Sequence, residues 1–186
     1  MPIIAFLGND ITDYNANIAK YLEALHFYCP KHGLELTPHA EYDRRVKDYK
    51  AVISIHRLGC PHKNCHYTKA ILPDFLQPYK HYSAKEIVFV LVESESEVEA
   101  LTIDTEASIS TVRRWIAEYS PILDEKISQL KTLVLQIGKS VVNETTLSSR
   151  QPMESIQRLL KLLPAIHRSN TLGAAFIYTN TLAIPT

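Results

Sequence analysis

The sequence predicts an α+β fold, in which a small β-hairpin module precedes a mostly helical region. Residues 34–46 and 51–57 have the composition of two strands, and in the second of them isoleucines alternate with polar residues. From Ser83 onward, apolar residues recur at helical spacing instead. We therefore expect an N-terminal helix and the β-module within residues 1–82, and a helical region over residues 83–186.

The remaining elements follow from local signals. A short apolar run at 2–7 predicts a strand, and residues 13–27 predict a helix with Asp13 as its N-cap. Two prolines within residues 72–79 predict an ordered loop. Residues 138–151 are polar and predict another loop, and the last twenty residues fit no single structure. Five helices are expected in the C-terminal region: 83–92, one opening at Ser96, 111–119, 122–137 and 152–163.

The composition excludes several classes of protein. Hydrophobic residues make up 46% and charged residues 22%, which is ordinary for a folded soluble domain. The formal net charge is zero, which excludes a polybasic protein that binds through its overall charge. Three cysteines are too few for a disulfide scaffold. No targeting segment and no apolar run of membrane-spanning length is recognised, so we expect a cytoplasmic protein without a membrane partner.

The zero net charge hides an uneven distribution of side chains. All three cysteines and seven of the eight histidines fall between residues 26 and 81. Residues 91–125 carry nine acidic and only two basic side chains. Because cysteine and histidine are the residues that bind zinc in proteins, their clustering indicates a metal site in the N-terminal module.

The spacing of the cluster resembles a zinc ribbon, with two turns at the ends of a hairpin that each give two ligands. The two pairs, separated by 27 residues, are Cys29-x2-His32 and Cys60-x4-Cys65. They predict one structural Zn²⁺, because thiolate and imidazole ligands suit tetrahedral zinc. His62 or His66 can compete with His32 for the fourth position. A ribbon that packs without metal is the alternative, and a catalytic zinc or a Cys–His nucleophile fits less well.

Residues 96–119 have the pattern of a helix-turn-helix, with Trp115 on the apolar underside of the second helix. Ser110 would cap that helix and Pro121 would end it. DNA contacts are expected from side chains near its start: Thr111, Arg113 and Arg114. Against this interpretation, the supporting helix is rich in acidic residues, which weaken binding to phosphates. The alternative is an ordinary helical hairpin whose tryptophan lies in the core.

Basic residues also cluster on the predicted β-hairpin. Arg44 and Arg45 are candidates for DNA contacts, and Tyr42 and Tyr49 lie among them. A basic ribbon of this kind can follow a phosphate backbone. A solvated hairpin surface explains the same residues equally well.

Five segments carry a resemblance to a known family: CPKHG at 29–33, Tyr42-Asp-Arg44, ISIHRLGC at 53–60, LPDFLQPYKHYS at 72–83 and STVRRW at 110–115. They resemble uncharacterised Firmicutes proteins linked to mobile elements, which have a zinc ribbon followed by a helix-turn-helix. Those proteins look like the N-terminal part of insertion-sequence transposases. The resemblance implies zinc binding by Cys29, His32, Cys60 and Cys65, and DNA binding by the helical part.

The sequence departs from that family in three ways. His32 stands where the family has a second cysteine, and the second ligand pair is two residues wider. Lys69 stands where a histidine is common after that pair. Four plausible ligands remain, so the zinc site is still expected.

These patterns together predict a zinc-ribbon and helix-turn-helix protein that binds double-stranded DNA and is not an enzyme. Only about 65 residues follow the helix-turn-helix, too few for a nuclease domain of typical size. A second copy of the chain or a separate transposase chain is a further partner that this interpretation allows. The alternative is a zinc-dependent protein-interaction adapter without DNA binding, and a hydrolytic zinc enzyme ranks third.

Overall fold

The computed structural model contains both helices and a mixed β-sheet, so the α+β class is confirmed. It describes residues 2–95, 100, 102–136 and 151–162. The chain divides into two compact units, Met1–Ser83 and Ala84–Thr186. All but the final residue of the loop expected over 138–151, and the last twenty residues, lie outside the described residues. Within the described part, no helix combines the length and apolar character needed to cross a bilayer.

The N-terminal unit is a four-stranded sheet with one helix. Its elements are β1 (Ile3–Ala5), α1 (Ile11–Glu23), β2 (Thr37–Val46), β3 (Ala51–Gly59) and β4 (Thr68–Pro73). The strand order is β1-β4-β3-β2. The β1–β4 pair is parallel and the other two pairs are antiparallel, so the sheet is mixed.

Strands β2 and β3 form the expected hairpin. Their register pairs Val46 with Ala51, Arg44 with Ile53, and Thr37 with Gly59 at the open end. The N–H group of residue 50 donates to the carbonyl of residue 47 at 2.9 Å and closes the turn. The alternation of apolar and polar residues therefore predicted this hairpin correctly, because one of its faces is buried.

Two expectations for this unit differ from the structure. The loop expected over 72–79 is present from residue 74 onward, but residues 72 and 73 still belong to β4, a strand that lies between β1 and β3 in the sheet. A short apolar run does not by itself distinguish a buried strand from a loop, and β4 is recognisable only through its partners. The N-cap of α1 is Asp10, whose carboxylate accepts the backbone N–H of Asp13 at 2.9 Å.

The core of the N-terminal unit lies where α1 and the residues after β4 meet the sheet. Tyr14 of α1 is almost fully buried, and its hydroxyl donates to the backbone carbonyl of Ser54 in β3 at 2.6 Å. Burial raises the pKa of Tyr14, so this hydroxyl stays protonated. The Tyr14 ring also meets Phe75 edge-to-face, with ring centroids 6.1 Å apart.

Arg44, a predicted DNA contact, is buried in the N-terminal unit instead. Its guanidinium donates hydrogen bonds to the backbone carbonyls of Gln77 and Lys80. Its side chain therefore ties β2 to the segment that follows β4. Arg45, the next residue along the strand, is exposed, because successive side chains of a strand point to opposite faces.

The C-terminal unit contains three described helices: α2 (Ala84–Glu95), α3 (Ile109–Gln136) and α4 (Pro152–Leu162). The helix expected over 152–163 is thus confirmed as far as residue 162. A carboxylate oxygen of Glu95 accepts the backbone N–H of Met153 at 2.8 Å, so the end of α2 caps the first turn of α4. Burial raises the pKa of Glu95.

The two helices expected over 111–119 and 122–137 are one continuous helix. Pro121 lies inside α3 and does not end it. The buried side chains of α3 recur at helical spacing on both sides of the proline: Val112, Trp115, Tyr119, Leu123, Leu130 and Val134. An interior proline costs about 3 kcal/mol, and burying two or three such side chains offsets that cost.

The helix expected to open at Ser96 is not formed in residues 100 and 102–108, which adopt turns, bends and irregular structure. Residues 96–99 and 101 lie outside the described residues. Ser108 takes the capping role expected of Ser110, since its carbonyl accepts the N–H groups of Thr111 and Val112 at 2.8 and 2.9 Å. Its hydroxyl also lies 2.9 Å from that of Thr111.

The burial of Arg44 generates a stability prediction. We expect Arg44→Ala to lower the free energy of unfolding by about 2–4 kcal/mol, because one buried and one partly buried carbonyl lose a charged donor. Arg45→Ala is the matched control and should change the free energy of unfolding by less than about 0.5 kcal/mol. Urea denaturation followed by circular dichroism measures both. Equal effects of the two substitutions would contradict the structural role of Arg44.

Candidate metal centre

The first ligand pair lies in a tight turn between α1 and β2. The backbone N–H of Cys29 donates to the carbonyl of Leu34, and the N–H of Gly33 donates to the carbonyl of Cys29, both at 2.8 Å. Gly33 has a φ of 64°, in the left-handed region that favours glycine. This turn folds His32 back towards the Cys29 thiol, and the two ligand atoms lie 3.7 Å apart.

The second ligand pair follows β3 directly. The N–H of Cys60 donates to the carbonyl of Tyr67 at 3.0 Å, and the N–H of Cys65 donates to the carbonyl of His62 at 2.9 Å. Gly59 precedes the turn, and a side chain there would meet the His39 ring at 2.9 Å. The four residues between the two cysteines therefore form a closed turn, which brings both thiols to the same place.

The two turns converge on one cluster. The ligand atoms of Cys29, His32, Cys60 and Cys65 all lie within 4.8 Å of one another. The Sγ atoms of Cys29 and Cys65 are 3.8 Å apart, and His32 Nδ1 lies 3.7 Å from the Sγ of Cys60. Four ligands at about 2.3 Å from a tetrahedral ion stand about 3.8 Å from one another. The cluster therefore fits one tetrahedral metal ion.

The cysteines differ in how readily they lose a proton. Burial raises the pKa of Cys29, but hydrogen bonds from the His32 side chain and from backbone N–H groups outweigh it and lower the pKa to about 6. The pKa of Cys60 is raised by burial and by the adjacent thiols of Cys29 and Cys65. Since metal ligation requires thiolates, an ion bound here displaces protons, and its affinity falls as the pH falls.

Of the three candidate histidine ligands, His32 lies in the cluster, whereas His62 and His66 are not members of it. The His62 ring instead stacks on the His32 ring, with centroids 4.3 Å apart and an angle of 9° between the planes. His62 thus supports the orientation of His32, a role that sequence spacing does not reveal.

The predicted DNA contacts are distributed over both units. In the C-terminal unit, Arg113 and Arg114 are exposed in the first turns of α3, Thr111 is half-buried, and Trp115 is buried as predicted. Of the two contacts predicted in the N-terminal unit, Arg44 and Arg45, only Arg45 is exposed. The burial of Arg44 removes it from the set of residues that can reach DNA.

A groove of about 780 Å³ lies between α1 and the hairpin. Leucines from both elements, such as Leu22 and Leu58, line it. Two histidine–glutamate pairs also line it, with facing nitrogen and oxygen atoms 2.6 and 3.0 Å apart: His26 with Glu35, and His56 with Glu41. Sequence reasoning missed this groove, because its walls are distant in the chain.

The cluster predicts the metal stoichiometry of the full chain. We expect one divalent ion per chain, observable as the visible absorption of thiolate-bound tetrahedral Co²⁺. Cys60→Ser or His32→Ala should each weaken metal binding, because each removes a direct ligand. The loss should exceed the roughly 10- to 100-fold loss that is typical when a residue hydrogen-bonded to a ligand is removed. His66→Ala is the control and should leave the affinity unchanged. Equal losses in His66→Ala and His32→Ala would contradict the ligand assignment.

Comparison with known proteins relates part of the chain to a domain family. Residues 29–115 match the profile of a domain of unknown function (DUF6431). The matched range begins at the first ligand of the cluster, ends at the buried Trp115 and spans just under half of the chain. No curated protein and no solved structure matches the chain. The chain is therefore similar to this domain over the range that contains the candidate metal centre.

Proposed function

We propose that the protein binds double-stranded DNA and that its N-terminal unit is a zinc-ribbon-like module held by one structural Zn²⁺. The observation that carries the proposal is the convergence of Cys29, His32, Cys60 and Cys65 on one tetrahedral set. Three sulfur ligands and one imidazole form a donor set that zinc prefers over harder cations. Four protein ligands complete the coordination of zinc, which favours a structural rather than a catalytic ion.

The start of α3 supports the DNA-binding part of the proposal. Arg113 and Arg114 are exposed there, while Trp115 anchors the opposite side of the helix in the core. The partial positive charge of a helix N-terminus adds to the attraction for phosphate. We assign the duplex contacts to these two arginines and to Thr111, with Arg45 of the hairpin as a further phosphate contact.

The resemblance to transposase DNA-recognition regions extends the proposal to a setting in mobile elements. In that setting the chain recognises DNA and a separate chain performs strand transfer. This part of the proposal rests on the five sequence segments that carry the resemblance. The domain of unknown function that matches residues 29–115 has no assigned activity, so the match does not bear on this part of the proposal.

A second candidate function is a zinc-dependent protein-interaction adapter. The groove of about 780 Å³ between α1 and the hairpin favours it, since apolar walls with a few polar pairs are typical of binding sites. The two functions differ in their response to salt. Duplex binding weakens steeply as salt rises because counterions are released, whereas docking into an apolar groove does not.

The duplex proposal predicts a charge-specific loss of binding. Removing both exposed arginines in Arg113→Ala/Arg114→Ala should weaken binding to a fluorescein-labelled duplex and lower the slope of log K against log salt by about two. Lys85→Ala/Lys131→Ala removes the same charge from the same unit and should leave the slope nearly unchanged. Fluorescence anisotropy across a salt series measures both variants. Absence of duplex binding by the metal-loaded protein would contradict the duplex proposal, and the adapter would then be the remaining candidate function.

A further inference from the structure

A second surface of the N-terminal unit has features that the proposed duplex contacts do not explain. It is a depression of about 380 Å³ over one end of the β-sheet. Three strands and the segment after β4 contribute to it, and its lining residues are Pro2, Tyr42, Arg57, Thr68, Lys69, Ala70 and Tyr79. Two lining residues are basic, two are tyrosines and none is acidic, so we name it the tyrosine–arginine face.

The face is the uncovered end of a sheet surface that is buried elsewhere. Tyr42 is paired with Ile55, and two residues further along β2 Arg44 is paired with Ile53. Because alternate residues of a strand share a face, Tyr42 and Arg44 point to the same side of the sheet. The segment after β4 covers this side at Arg44 and leaves it open at Tyr42, which is 42% exposed.

Tyr79 is held outward beside this opening. The N–H of Lys80 donates to the carbonyl of Gln77 at 3.3 Å, which closes a turn with Pro78 and Tyr79 at its centre. Tyr79 has a φ of 61°, a conformation that glycine usually adopts at this position of a turn. Its side chain is 84% exposed, so a large aromatic ring occupies a strained backbone position without burial to stabilise it.

The guanidinium of the face is held in place by a neighbouring side chain. Arg57, which has five N–H donors, donates one of them to the Thr68 hydroxyl at 2.7 Å. Lys69 is paired with Leu58, so it points to the opposite side of the sheet from Arg57, which is paired with Ala70. Glu41 and Asp43 flank Tyr42 in β2 and therefore point to the opposite side of the sheet. The charge of the face is thus positive.

We propose that the tyrosine–arginine face binds single-stranded nucleic acid. Exposed aromatic rings stack on bases of any sequence, and fixed cations beside them neutralise the backbone phosphates. In this assignment Tyr42 and Tyr79 stack on bases, and Arg57 contacts a phosphate. The activity goes beyond the proposed duplex binding, because it uses other residues and another form of nucleic acid.

The test uses the full metal-loaded chain and a fluorescein-labelled oligothymidylate of about 15 nucleotides. Tyr42→Ala and Tyr79→Ala should each weaken binding about tenfold, and Tyr79→Phe should bind like the wild type, because stacking needs the ring and not the hydroxyl. Arg57→Gln should lower the slope of log K against log salt by about one. Tyr49→Ala is the control, since Tyr49 is 39% exposed but lies outside the face.

The outcomes separate this inference from the proposed duplex function. Oligothymidylate binding that survives Arg113→Ala/Arg114→Ala but is weakened by Tyr42→Ala and Tyr79→Ala supports the face, whether or not duplex binds. Absence of oligothymidylate binding overturns the inference, and so does equal weakening by Tyr49→Ala. Loss of duplex binding alone bears only on the proposed function.

Discussion

The N-terminal unit is organised around one constraint, the convergence of two turns on a single set of four candidate metal ligands. Cys29 and Cys65 are 36 residues apart, yet their sulfur atoms lie 3.8 Å from each other. The β2–β3 hairpin is closed at one end by its own turn, and the two ligand pairs flank its open end. An ion bound there would close a long loop and add a link at the end of the hairpin that lies opposite its turn. The sheet, its tyrosine–arginine face and the groove beside α1 all belong to this same unit.

The features that could be predicted from the sequence are those that local chemistry determines. Cysteine and histidine at short spacing identify both ligand pairs without knowledge of the fold, because each pair occupies a single turn. Alternating residues around Ile53 and Ile55 identify the hairpin, and Trp115 is recognisable as a core residue from its helical spacing. In each case the signal lies within about ten residues, which is the range over which periodicity is informative.

The features that could not be predicted depend on partners distant in the chain. β1 has only three residues and is a strand because β4 lies beside it. Arg44 resembles any exposed basic residue until the segment after β4 provides two carbonyl acceptors. Pro121 signals the end of a helix, but the buried side chains on either side of it keep α3 continuous. His32 is distinguished from His62 and His66 only by the position of its ring relative to three sulfur atoms.

Hydrogen exchange of the full chain, measured by mass spectrometry before and after removal of its metal by a chelator, tests the central claim most directly. Removal of the metal is expected to abolish amide protection in β2, β3 and the two ligand turns, because the turns at their open end lose the ion that links them. Protection in α3 should be unchanged, since the C-terminal unit contributes no ligand to the cluster. Unchanged protection of β2 and β3 in protein shown to be metal-free would contradict the claim that the ion holds this unit together.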